Sequence, residues 1–308
     1  MGALDGRVAI ITGGGNGIGA SISRYFSNEG AKLVINDLGA NPDGTGGDSG
    51  PAQRIAEEIN GNGGAAVADG GDIADVATGE RLVQAALDSY GKLDIVVNVA
   101  GILRDRMIFN LEEKDWDAVI RVHLKGHYST VRPASAYWRG LRNPDGNFRI
   151  INFTSASGLH GSPGQPNYAA AKMGIAGLTW SLARGLARYG VTANAIAPGA
   201  ATRLTATVPA DKRVSINADP EAADPLMSPD NIAPIAAFLA SERSSWLTSR
   251  IVAASGYHVG LYNLPEEIAS VDSQQPWGFD SLSDAMERKF RPIADGLPET
   301  VFDSQLQK

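Results

Sequence analysis

The sequence predicts a single α/β domain built on a doubly wound parallel sheet of about seven strands, followed by a C-terminal extension. Three observations carry that expectation. Short apolar, β-branched runs alternate with stretches of helical period, a glycine-rich turn joins the first run to the first helical stretch, and the alternation stops near residue 260. The first-half runs are VAIIT at 8–12, LVIND at 33–37, AAVAD at 65–69 and DIVVN at 94–98. FRIINFT at 148–154, VTANAIA at 191–197 and SRIVAAS at 249–255 follow, with helical stretches around 166–189 and 229–240. Runs this apolar, without polar alternation, are expected in strands covered on both faces.

Residues 1–260 are therefore read as one domain and 261–308 as an extension that packs on the core or on a neighbouring subunit. The stretch 39–50 is too rich in Gly, Asp and Pro for an element and reads as a surface loop. In the extension, Ser281 and Asp284 form a capping-box pattern, and Phe279, Leu282, Ala285 and Met286 share one helical face.

Composition narrows the classes. A net charge of -7 argues against nucleic-acid partners, so any anionic ligand must be held locally. The absence of cysteine excludes disulfides, a thiolate nucleophile and Cys-based zinc, and the 4 His lack metal-ligand spacing, so no metal is expected. The opening MGALDGRVAIITGGG lacks a charged and then apolar leader, and no run reaches transmembrane length. The expected location is cytoplasmic, with no membrane span.

After the first strand comes Thr12-Gly-Gly-Gly-Asn-Gly-Ile-Gly19, opening a helical pattern. Gly13, Gly17 and Gly19 permit a tight turn and the close approach of a pyrophosphate, while a helix N-terminus offers free N–H groups and positive potential. Asp37 closes the second strand about 20 residues on, where a carboxylate accepts hydrogen bonds from an adenosine ribose. Asn16 and Leu38 supply no cation for a 2′-phosphate, so the cofactor predicted is NAD. Asp72 fits either the adenine edge or a helix N-cap.

Between the fifth strand and a long Ala-rich helix lie Ser155, Tyr168 and Lys172. Tyr168 and Lys172 stand four apart, on one helical face. A tyrosine of pKa about 10 is a poor base at neutral pH, and an adjacent ammonium with a positive nicotinamide ring is expected to favour its phenolate. Ser155 is placed to hydrogen-bond a substrate oxygen.

The order and spacing of these motifs resemble the short-chain dehydrogenase/reductase family over about residues 5–260, a Rossmann-type fold. The resemblance implies direct hydride transfer, with Tyr168 taking the hydroxyl proton and Lys172 also binding the nicotinamide ribose. It implies a cofactor site of Gly13, Asn16, Gly17, Ile18, Gly19, Asp37, Asp72, Ile73, Asn98, Ala100, Gly101, Tyr168, Lys172, Pro198, Gly199 and Thr202, and assembly as a homodimer or homotetramer. Two positions depart from the family pattern. Asn98-Val-Ala-Gly101 stands for Asn-Asn-Ala-Gly, and His123 occupies the place of a catalytic Asn. His123 reads either as a buried, hydrogen-bonded histidine or as a residue whose backbone carbonyl supports a proton-relay water.

The blocks AGILRDR, RVHLKGHY and SASGLHGSPGQPNYAAAK look like the hydroxyacyl-CoA dehydrogenase portion of peroxisomal multifunctional β-oxidation enzymes and of free-standing bacterial relatives. That implies a (3R)-hydroxyacyl-CoA substrate, fatty or sterol-derived, with Arg104 and Arg106 either meeting the anionic CoA or forming a surface ion-pair cluster. A free hydroxysteroid or other bulky alcohol is the alternative substrate. A non-catalytic NAD-binding regulatory protein is the alternative class.

Overall fold

In a computed structural model of the chain, residues 2–201 and 225–298 are described. One sheet holds eight strands in the order β3-β2-β1-β4-β5-β6-β7-β8. They are β1 Val8–Thr12, β2 Lys32–Asn36, β3 Ala65–Asp69, β4 Ile95–Asn98, β5 Phe148–Phe153, β6 Val191–Gly199, β7 Ile251–Ser255 and β8 His258–Leu261. All pairs are parallel except β7 with β8.

The helices are α1 Gly17–Asn28, α2 Gly50–Gly61, α3 Val76–Tyr90, α4 Glu113–Ile120, α5 Gly126–Leu141, α6 Ala156–His160, α7 Pro166–Leu186 and α8 Ala233–Ala240. Alternate strand residues serve opposite faces of the sheet. Ile11, Ile35 and Val97 pack on the side that holds Ile22 and Phe26 of α1, Ile55 of α2 and Leu239 of α8. Ile10, Val34 and Val96 pack on the other, against Leu82 of α3, Trp138 of α5 and Ala183 of α7. Both faces are covered, so continuous apolar runs are the pattern the strands require.

The expected sheet of about seven strands is present, with β8 added at its edge. Gly256, at φ +55, and Tyr257 turn the chain between Ser255 and His258, which pair across an antiparallel hairpin. A short strand containing Gly260 and carrying an exposed face lacks the apolar run that marked the others; the Gly-Tyr turn after β7 was its sequence signal.

The chain divides into two compact units, the first ending at Tyr262 and the second beginning at Asn263. The second contains α9 Phe279–Lys289 and α10 Arg291–Ala294. The capping residue of α9 is Gly278 rather than Ser281. Ser281 lies inside the first turn, its Oγ accepting the Gly278 N–H at 3.2 Å and donating to the Gly278 carbonyl at 3.0 Å, which puts Asp284 in the helix body. Among the described residues no helix is long and apolar enough to cross a membrane.

Between the sheet and its α5/α7 face runs a buried polar chain. Thr130 Oγ1 donates to Asn98 Oδ1 at 2.6 Å, Asn98 Nδ2 to Asn152 Oδ1 at 3.0 Å, and Asn152 Nδ2 to Thr179 Oγ1 at 2.9 Å. These bonds fix the C-terminal ends of β4 and β5 relative to α5 and α7. Asn98→Ala strands the Asn152 carbonyl oxygen in a dry site and is expected to cost about 1–3 kcal/mol. Urea unfolding checks this; an unchanged midpoint would show that the chain of amides contributes nothing to stability.

Candidate active site

The chain crosses from β3, at one edge of the sheet, to β4 beside β1, which opens a crevice at the C-terminal ends of the strands. Thr12, Asn98, Phe153 and Gly199 end the four strands around it. The turns after β1 and β4 abut. Gly13 has φ +65, and a Cβ there would lie 2.8 Å from Ala100 Cα, so both the conformation and the approach demand glycine. Thr12 Oγ1 accepts the N–H groups of Val99 and Ala100 at 3.2 and 3.3 Å, holding the second turn against the first.

α1 begins at Gly17 with Asn16 as its capping residue, and the Asn16 side chain does not cap the helix. Instead Asn16 Nδ2 donates to Asp37 Oδ2 at 3.3 Å, which also accepts the Gly15 N–H at 3.0 Å. Asp37 Oδ1 accepts the Gly39 N–H at 2.8 Å. One carboxylate thus ties the glycine turn to the start of the 39–50 loop, at the mouth of the crevice. Ile18 packs partly buried on the core and Gly19 is buried.

Asp72 neither caps α3, whose capping residue is Asp75, nor stands free. Its Oδ1 accepts the Ala74 N–H at 2.9 Å and its Oδ2 pairs with Arg121 at 2.7 Å. Ile73 is buried in the core. Asn98 has both ends of its amide engaged in the polar chain under the sheet, so it positions the crevice rather than lining it with a free side chain. Pro198 and Gly199 end β6 beside Ala254 and Ser255 of β7. Thr202 lies outside the described residues.

Ser155, Tyr168 and Lys172 meet at the ends of β5 and α7. Ser155 is the N-cap of α6, its Oγ accepting the Ser157 N–H at 3.1 Å, so a lone pair is occupied and the hydroxyl proton is left to donate. Pro166 opens α7, and Tyr168 and Lys172 rise from its first two turns. Lys172 is 3% exposed, with Nζ donating to the Phe153 carbonyl at 2.6 Å, while its own carbonyl accepts from Thr154 Oγ1 at 2.7 Å. The ammonium lies 5.4 Å from the centre of the Tyr168 ring.

In the protein alone, burial acts against the phenolate of Tyr168. Burial pushes the phenol up to about 12; its hydrogen bond with Ser155 acts downward, and the charge of Asp105 acts upward. Burial also draws Lys172 down to about 7. Desolvation outweighs proximity because each charged form loses its hydration in the same pocket.

His123 sits in a π-helical turn, Arg121–Lys125, between α4 and α5. Its ring is buried, edge-on to Tyr168 at 5.1 Å between centres. It covers Gly101, where a Cβ would collide with His123 Cε1. Nε2 lies 3.1 Å from the Ile102 nitrogen and 2.8 Å from the Ile102 oxygen, whereas Nδ1 is buried with no hydrogen-bond partner. The His123 carbonyl accepts from His127 Nδ1 at 2.6 Å, which leaves His127 Nε2 to accept the Phe153 N–H at 3.4 Å.

Burial and the neighbouring Lys172 charge hold His123 well below its ordinary range and bring His127 to about 3, so both rings are neutral at working pH. His127 stands four residues after His123. In space it bridges the π turn to the strand residue whose carbonyl holds Lys172. Arg104 pairs with Asp115 at 3.1 Å and donates to the Asp43 carbonyl at 2.7 Å, which commits it to the structure, whereas Arg106 is exposed. Among the described residues no cluster of His, Asp or Glu could hold a metal ion.

A family model described as short chain dehydrogenase matches residues 7–213. Hydroxyacyl-CoA dehydrogenase ChsB1 of Mycobacterium tuberculosis is 41% identical over 272 residues, covering 85% of this chain and 81% of that protein. Peroxisomal hydratase-dehydrogenase-epimerase of Neurospora crassa is 38% identical over 256 residues, 83% of this chain, but the match spans only 27% of that longer protein. A crystal structure of a short chain dehydrogenase from Mycobacterium avium superposes with a TM-score of 0.79 at 40% identity, covering 94% of this chain and 97% of the other. With its eight-stranded sheet and its sequence relatives in agreement, this chain belongs to the short chain dehydrogenase family and is an oxidoreductase related to hydroxyacyl-CoA dehydrogenases.

Proposed function

We propose that this chain oxidises the hydroxyl of a (3R)-hydroxyacyl-CoA, fatty or sterol-derived, to the 3-keto thioester with NAD. The observation that carries the proposal is the convergence of Ser155, Tyr168 and buried Lys172 beside a glycine turn whose charged neighbour is a carboxylate. The names of the similar proteins support the choice of thioester.

The residues present fit a dinucleotide. Gly13, Gly14 and Gly15 carry no side chain and Asn16 turns its amide to Asp37, so a pyrophosphate can reach the N–H groups that open α1. Asp37 would accept the adenosine ribose hydroxyls and repel a 2′-phosphate. Ile18, Ile73, Ala100, Gly101, Pro198 and Gly199 would form the apolar and backbone walls, with Asp72, paired to Arg121, at the adenine end. When bound, NAD supplies the hydride acceptor and a positive ring.

In this reading Ser155 Oγ donates to the substrate oxygen and Tyr168 Oη takes the hydroxyl proton. A phenol pushed to about 12 is a reluctant acid; its hydrogen bond with Ser155 acts to lower it, and a charged Lys172 with a cationic ring would add to that. The neutral His123 and His127 add no charge to oppose that shift. Arg106, exposed and bonded to the Asp105 carbonyl, would meet CoA phosphates. The proposed setting is a cytoplasmic homodimer or homotetramer in which residues 1–260 carry catalysis and 261–308 form the extension.

The test is a panel of (3R)-hydroxyacyl-CoAs against free hydroxysteroids, with NAD and NADP. Turnover of the thioesters with NAD is expected, and turnover of free alcohols alone would contradict the substrate. Tyr168→Phe is expected to keep NAD affinity within about twofold while losing at least about a thousandfold in kcat. Unchanged turnover would remove Tyr168 as the base and favour a role outside catalysis for the constellation.

A further inference from the structure

Asp105 follows β4 and lies close enough to Tyr168 for its charge to raise the phenol. Its two oxygens have different surroundings. Oδ2 accepts from Gln165 Nε2 at 2.8 Å, while Oδ1 is buried and has no hydrogen-bond partner. Gln165 Oε1 accepts from Ser157 Oγ at 2.9 Å, and the Ser157 N–H donates to Ser155 Oγ at 3.1 Å.

The direction of this chain is set by its first member. An ionised carboxylate only accepts, so Gln165 must present its NH2 to Asp105 and its carbonyl to Ser157. The Ser157 hydroxyl must then donate, which anchors Ser157 and pins its N–H on Ser155. With that lone pair filled, the Ser155 proton is directed away from α6. The assembly is braced from outside. Asn167 Nδ2 donates to the Arg104 and Asp115 carbonyls at 3.0 and 3.3 Å, and Arg104 pairs with Asp115, so the segment bearing Asp105 is fastened to the first turn of α7 next to Gln165.

We propose that Asp105 and Gln165 are positioning residues that hold Ser155 as a hydrogen-bond donor to the substrate oxygen, acting through Ser157. This deepens the function proposed above and rests on its assignment of Ser155. It also gives the carboxylate beside Tyr168 a purpose, since an acid that raises the pKa of the base opposes ionisation of the phenol and would otherwise only impede the reaction. Neither residue touches the reacting atoms.

The polarity of this hydrogen-bond chain supplies the test, on the whole protein near neutral pH. Gln165→Glu sets two carboxylates face to face and breaks the chain. D105N/Q165E exchanges amide and carboxylate, so the new amide at position 105 donates to the new carboxylate at position 165 and Ser157 still donates in its turn. For Q165E, kcat is expected to fall at least about tenfold with the KM for NAD within about twofold, and D105N/Q165E should recover to within about threefold of the parent. Equal rates in the single and double variants would show that Gln165 merely fills space and would overturn the proposal.

Hydrogen exchange at the Ser157 amide needs no substrate. It should be faster in Q165E than in the parent and slow again in the double variant; the same rate in all three would overturn the clamp. Parental rates on the alcohol panel judge the proposed substrate separately. If only a free alcohol is oxidised, the ratios among variants on that alcohol still judge Asp105 and Gln165.

Discussion

The end of the sheet is organised around one buried amine. Lys172 is almost wholly buried, and its ammonium is held by the Phe153 carbonyl at the end of β5. A lysine placed so must either hold its charge at a cost or give up its proton near neutrality. The elements around it share that constraint. Thr154 grips its backbone, His127 joins Phe153 to the π turn, and the amide chain from Thr130 to Thr179 keeps β4 and β5 in register with α5 and α7. Two neutral histidines beside it add apolar contact and hydrogen bonds without adding charge.

The same logic separates the two halves of the crevice. At β1 and β2 the requirements are geometric: a run of glycines, an open helix N-terminus and Asp37 tying the glycine turn to the loop that begins at Gly39. At β5 and α7 they are electrostatic. Phenol, ammonium and two imidazoles occupy one poorly solvated volume, with Asp105 at its edge, and the protonation of each depends on how little water reaches it. The topological crossover beside β1 brings these halves together on a sheet covered on both faces.

Strands β1 to β7 were legible because double burial demands long apolar runs, and the Ser155, Tyr168 and Lys172 spacing was legible because a strand end and a helix face convert sequence distance into position. β8 was not, since a four-residue edge strand containing glycine needs no such run. The cap of α9 was displaced because Ser281 closes a turn from inside it, and a capping pattern does not say which residue is outermost. His127, Asp105 and Gln165 were missed because each owes its place to contacts across the fold, with partners 26, 60 and 8 residues away. The depth of Tyr168 and Lys172 was illegible for a related reason. Sequence reveals that a lysine is near, but the depth at which both groups lie is a property of packing.

Titration of the Lys172 ammonium in the cofactor-free protein, followed by side-chain NMR, tests the account most directly. Burial beside the Phe153 carbonyl predicts that it loses its proton at about 7. A value near the ordinary 10.5 would mean that water reaches the site, and would contradict the enclosed pocket from which the behaviour of Tyr168, His123 and His127 was derived.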